Sequence, residues 1–187
     1  MITIIIETKY KNTNIIFIGI VHNSPISYRR VKEVLDKYNK TPVLIEYCNR
    51  RFKANILKKR HSFWDIIAKT EVFIEEYTIK RCLKEKRQIK FIDIDVKETL
   101  KEKYNMLTLI FDFIRKLFYT PTFEVHEQEI IYFENLHYEQ IPKNLDPKRD
   151  KYMSMKIKNF IENNNPNEII IIIGKGHLPG IINNLQY

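Results

Sequence analysis

Glycine is the residue that most limits how this chain can turn. There are only four glycines in 187 residues, and all four lie in two short segments. Gly19 belongs to Gly19–His22, while Gly174, Gly176 and Gly180 surround Gly174–His177. A residue without a Cβ permits backbone conformations and close approaches that other residues resist. Where glycine is so scarce, each one marks a place where the backbone needs it. The two segments also share a spacing, glycine followed three residues later by histidine, and each histidine comes after an apolar run, Ile15–Val21 or Ile169–Ile173. The sequence therefore predicts two strands that end in similar turns and bring His22 and His177 to one place.

Length bounds the rest. A chain of this size suits a single domain spanning 1–187 and buries roughly 70% of its unfolded surface. Its composition is 44% hydrophobic and 29% charged, which is globular rather than disordered. The longest apolar runs fall far short of the ~20 residues a membrane span needs. The apolar stretch at the N-terminus is too short for a signal-peptide core, so the expectation is a cytoplasmic, unprocessed chain. Cys48 and Cys82 form neither a disulfide framework nor a C-x-x-C metal pair.

Periodicity predicts an α/β fold: a mixed, largely parallel sheet with flanking helices and an N-terminal β-hairpin. The hairpin joins Thr3–Thr8 to Asn14–Val21 through Lys9–Thr13. Ile26–Tyr38 carries apolar residues at helical spacing behind Ser24 and Pro25, a cap and a first-turn residue. Pro42–Tyr47 is a short strand ending in Glu46, and the order strand, helix, strand implies a parallel pair with a right-handed crossover. Phe63–Lys86 reads as helix and Ile89–Asp95 as a strand ending in Asp93 and Asp95. Val96–Tyr119, Phe123–His137 and Asp150–Asn163 read as further helices, with a loop over Glu139–Pro147. A last strand, Glu168–Ile173, precedes a short terminal helix.

The ionisable residues share one address. His22, Glu46, Asp93, Asp95 and His177 all stand at the carboxyl end of an expected strand, where open α/β sheets bind their ligands. Glycine before each histidine would let the chain leave the strand sharply and a ligand approach the backbone. Imidazole with carboxylate suits Zn, Mn, Co or Fe, and two histidines with one glutamate is a catalytic zinc arrangement. The plainer readings are a hydrogen-bonded histidine after a strand, Glu46 paired with Arg50 or Arg51, and Asp93 and Asp95 capping a helix. His61, His126 and His137 lack a partner pattern and are read as surface residues.

Five elements in order resemble the TraB/PrgY family, related to the GumN and Tiki proteins. They are Phe17-Ile-Gly-Ile-Val-His22-Asn-Ser-Pro, Val43-Leu-Ile-Glu46-Tyr-Cys48-Asn-Arg-Arg51, and Ile92-Asp93-Ile-Asp95-Val-Lys-Glu-Thr99-Leu100. Arg149-Asp150-Lys-Tyr152-Met153 and Gly174-Lys-Gly176-His177-Leu-Pro179-Gly180-Ile181 complete the set. The chain departs from the family pattern at Ile20-Val21, Ile94 and Lys148. The resemblance implies a metal-dependent hydrolase, peptidase-like, acting on a peptide or small amide or ester. It implies His22, His177 and Glu46 as ligands of a divalent Mn, Co or Zn ion, with Glu46 also able to serve as the base. Arg51, Arg149 and Asp150 would be the supporting catalytic residues.

The competing reading is a non-catalytic binding module. A net charge of +9, with basic clusters at Arg50–His61 and Lys80–Lys90, would then meet a peptide, a protein or a nucleic acid. Nucleic acid ranks below a peptide or small-molecule substrate, because lysine also populates solvated faces without function. A homodimer is compatible with either reading.

Overall fold

The computed structural model describes residues 4–21, 25–53, 74–94 and 147–186. They form a five-stranded sheet in the order β1-β2-β5-β3-β4. Strand β1 (Ile4–Tyr10) pairs antiparallel with β2 (Thr13–Ile20), the hairpin expected from the sequence. Lys11 turns it with a φ of 52°. The remaining pairings are parallel: β2 with β5 (Glu168–Gly174), β5 with β3 (Val43–Ile45), and β3 with β4 (Ile89–Phe91). The sheet is thus mixed and mostly parallel. Four helices flank it: α1 (Pro25–Lys37), α2 (Ile74–Lys84), α3 (Pro147–Asn164) and α4 (Leu178–Gln186). None of the described helices is long and apolar enough to cross a membrane.

One expectation changes in detail. Strands β2 and β3 do run parallel, but they are not neighbours, because β5 lies between them. The physical reason lies in β5 itself. Its run Ile169–Ile173 has no polar face, so only a position covered on both sides satisfies it. All five of these isoleucines are completely buried. Helices expected over Val96–Tyr119 and Phe123–His137, and the first part of Phe63–Lys86, lie outside the described residues.

Alternation along the strands divides the core into two layers. Ile15, Phe17, Leu44, Ile169, Ile171 and Ile173 face one side, where Met153, Ile157 and Ile161 of α3 and Ile181 of α4 cover them. Ile16, Ile18, Ile20, Val43, Ile45, Ile170 and Ile172 face the other, against Val31, Val34 and Leu35 of α1 and Ile74 and Ile79 of α2. Ile171 packs at the centre of the first layer with no solvent exposure. Ile171→Ala is expected to cost about 2–5 kcal/mol through lost burial and a residual cavity, measured by urea unfolding. A loss below ~1 kcal/mol would contradict the two-sided burial of β5.

Candidate functional site

Parallel pairing places the carboxyl ends of β3, β4 and β5 along one edge of the sheet, and three acidic or imidazole side chains emerge there. Glu46 directly follows β3. Its backbone N–H donates to Ile172 O at 2.9 Å, and its Oε2 accepts from the Gly174 N–H at 2.5 Å. Asp93 lies two residues beyond β4, tied by its own N–H to Tyr47 O at 3.2 Å. His177 closes a single 3₁₀ turn, Lys175–His177, immediately after β5. Arg149 and Asp150 reach the same edge from the first turn of α3. Residues separated by more than a hundred positions are therefore adjacent.

Arg149 is the hub. Its Nε donates to Asp93 Oδ1 at 2.7 Å and its Nη2 to Asp93 Oδ2 at 2.8 Å, a bidentate pair. Nη2 also donates to Glu46 Oε1 at 2.6 Å, and Nη1 stands 3.3 Å from His177 Nε2. Glu46, Asp93, Asp150 and His177 are all buried, whereas the Arg149 side chain is 27% exposed and is the face the cluster shows to solvent. Burial acts to lower the Arg149 pKa. The hydrogen bonds that Arg149 donates to Asp93 and the fields of Glu46, Asp93 and Asp150 outweigh it and raise the pKa above its ordinary value. The guanidinium stays charged at any working pH.

The hydrogen bonds also assign the imidazole tautomer. His177 Nδ1 lies 2.5 Å from Asp150 Oδ1, which accepts. Arginine can only donate, so Nε2 must accept from Nη1. His177 is held with its proton on Nδ1 and its lone pair on Nε2, aimed toward Arg149 and 3.7 Å from Glu46 Oε1. A carboxylate behind one ring nitrogen, fixing the tautomer and raising the basicity of the other, is the usual support for a catalytic or ligating imidazole.

The glycines do not serve this arrangement by turning the chain: none has a φ in the left-handed region, and Gly19 and Gly174 are still strand residues. Gly19 and Gly180 provide space. A Cβ on Gly19 would overlap Leu178 Cδ1 and come within 3.3 Å of Lys175 Cα, in the turn that carries His177. A Cβ on Gly180 would overlap Asp150 Oδ2 and lie 2.9 Å from Asp150 Cγ. Gly180→Ala must therefore push Asp150 off His177. It is expected to cost about 1–3 kcal/mol, as overpacking does, and to weaken any activity that depends on the imidazole. Urea unfolding together with a rate measurement checks both, and an unaltered Asp150–His177 pair in a crystal of the variant would refute it.

Of the residues singled out from sequence, Glu46, Arg149, Asp150 and His177 come together. His22 and Asp95 lie outside the described residues, as do His61, His126 and His137. Arg51 is not brought to the cluster: its guanidinium carbon lies 4.5 Å from the centre of the Tyr47 ring. It sits in the one-turn helix Asn49–Arg51, capped by Cys48, whose Sγ accepts from the Arg51 N–H at 3.5 Å. Glu46 pairs with Arg149, not with the neighbouring Arg50 or Arg51. Asp93, read from sequence as a strand-end residue of the site with helix capping as the plainer alternative, supplies the bidentate anchor for Arg149. Its place at a strand end was the signal available for it.

Among the described residues, no three metal-competent side chains converge into a ligand set. Glu46 Oε1 and His177 Nε2 are spaced much as two ligands of one ion would be, roughly 3.4 Å apart at bond lengths of ~2.1 Å. The Arg149 guanidinium, however, bonds to the first and faces the second. As described, these two donors face an arginine, and His22, the third expected ligand, lies outside the described residues.

Elsewhere, the basic stretch Lys80–Lys90 is partly engaged. Arg81 pairs with Asp36 at 2.5 Å and Glu85 at 2.7 Å, and the buried Arg87 pairs with Glu85 at 2.8 Å. Cys48 and Cys82 are free and buried, and burial pushes the Cys82 thiol up to about 11, so it stays protonated and unreactive. No protein-family model matches the chain, and no curated protein matches it either.

Proposed function

We propose that this chain is a hydrolase that cleaves a peptide or a small amide or ester at the carboxyl edge of its sheet, as its resemblance to the TraB/PrgY family implies. The observation that carries the reading is the buried relay Asp150–His177–Arg149–Glu46. A base oriented by a carboxylate beside a fixed cation has the parts an acyl-transfer site needs.

In this scheme the contact between Arg149 Nη1 and His177 Nε2 opens, and a water takes the freed Nε2 lone pair. Nε2 takes a proton from the water as it attacks the substrate carbonyl, and Asp150 stabilises the imidazolium that forms. Nε and Nη2 keep their carboxylate acceptors, so Nη1, released from His177, is the donor left for the developing oxyanion. Glu46 and Asp93 keep the guanidinium in place. The imidazolium then returns its proton to the leaving group.

The resemblance adds a divalent Mn, Co or Zn ion on His22, His177 and Glu46, which would supply Lewis acidity and a more acidic water. For such an ion to bind, Arg149 would have to give up its bond to Glu46. Two buried free thiols suit a reducing compartment, and the cytoplasm is the location proposed with this function.

The test is release of product from a panel of peptide, amide and ester substrates, with and without added Mn, Co or Zn. Activity is expected in the native chain and should be lost in the double variant His22→Ala, His177→Ala. Equal turnover by native chain and double variant would overturn the proposal. Hydrolysis by neither, together with polyanion binding that weakens steeply with salt, would favour the binding-module reading.

A further inference from the structure

The described donors have an excess of negative charge. Glu46, Asp93 and Asp150, three buried carboxylates, meet a single guanidinium at Arg149. Carboxylates packed this closely attract a cation strongly, since burial removes the water that would otherwise solvate them. Arg149 provides that cation in an unusual way. It touches Glu46 through Nη2, faces His177 through Nη1 and is gripped side-on by Asp93, so one planar group spans all three. A divalent ion bound to Glu46 Oε1 and His177 Nε2 would lie against this guanidinium, and two like charges at that separation repel.

We propose that Arg149 is a resident cation that excludes a divalent metal ion from Glu46 and His177, so that metal binds there only when the guanidinium swings away. The inference deepens the hydrolase reading and rests on the same site, but it concerns binding and needs no substrate. Arg149 is suited to such exchange. It is the most exposed member of the cluster and sits in the first turn of α3, from which a long side chain can reach solvent. Asp93 would be the latch, since the bidentate pair must open before Nη2 can release Glu46.

The experiment titrates the full chain with Co²⁺, read by its visible absorption. The native chain should bind weakly. Arg149→Met, which keeps an unbranched apolar stem and removes the charge, should bind at least tenfold more tightly, and adding His177→Ala should abolish the gain. Guanidinium ion at tens of millimolar should compete with Co²⁺ in the Met variant. Affinity no tighter than that of the native chain would overturn the proposal. Arg149→Lys covers the case in which the Met variant does not fold: its ammonium cannot span Glu46 and His177 together, so it too should bind Co²⁺ more tightly than native. Equal affinity in this variant would also overturn it. In the native chain, Co²⁺ bound through His177 should shift the Arg149 Nε–H resonance, and an unshifted resonance at saturation would be a third refutation. Absence of hydrolysis in every form would defeat the hydrolase reading and leave these binding results standing.

Discussion

His177→Ala is expected to lower hydrolysis by about 10²–10⁴-fold, the range in which a positioned acid–base group contributes. The loss should appear mainly in kcat, because the imidazole acts on the proton transferred in the transition state and not on the bound substrate as a whole. The ring is buried at 6% exposure, so circular dichroism and thermal unfolding of the variant must accompany the kinetics. Asp150→Asn separates orientation from mere presence. The amide can turn its NH₂ toward Nδ1, which would favour the tautomer with its proton on Nε2 and deprive the site of its base. A drop approaching that of His177→Ala is expected, together with a changed pH profile. If Asp150→Asn left kcat within about twofold while His177→Ala abolished it, Asp150 would be a packing group behind the imidazole. If both variants stayed near native activity, His177 would have no part in the chemistry.

The fold and the candidate site were legible in the sequence to different degrees. The hairpin, α1, α3 and β5 follow from periodicity because each has a clean pattern: alternation beside a polar turn, apolar residues three and four apart, or an uninterrupted isoleucine run. The order of the strands did not follow. Nothing local to β2 or β3 says that a segment as distant as Glu168–Gly174 will be inserted between them, and only the two-sided hydrophobicity of β5 pointed to a central place. At the site, the strand-end address correctly gathered Glu46 and His177, but pairing could not be read from position. Charge partners are chosen by three-dimensional reach, so Glu46 passes over Arg50 and Arg51 for Arg149, and Asp93 anchors the same guanidinium from the neighbouring strand end. The glycines were noticed for their scarcity, and of the two uses expected of them, turning and close approach, it is close approach that Gly19 and Gly180 show. Their φ angles are ordinary, and what Gly19 and Gly180 provide is room for Leu178 and Asp150.

Arg149→Ala is the substitution expected to affect stability most, by about 3–5 kcal/mol, the usual cost of removing one partner from a buried ion pair. The loss does not measure what the pair contributes relative to an apolar core. It reflects the desolvation of carboxylates that the folded chain still has to bury, Glu46 at 4% and Asp93 at 8% exposure. Two contacts soften it. Glu46 keeps the Gly174 N–H and Asp93 keeps the Ile94 N–H, so each anion retains one backbone donor, and the lower half of the range is the better expectation. Removing negative charge by mutation should relieve part of the deficit: in the double variant Arg149→Ala, Asp93→Asn, the loss should be smaller than the sum of the two single effects. Urea unfolding of the native chain, the two single variants and the double variant checks this. A deficit strictly additive with Asp93→Asn would mean that Arg149 contributes through packing of its alkyl stem, not as the cation that holds the carboxylates together.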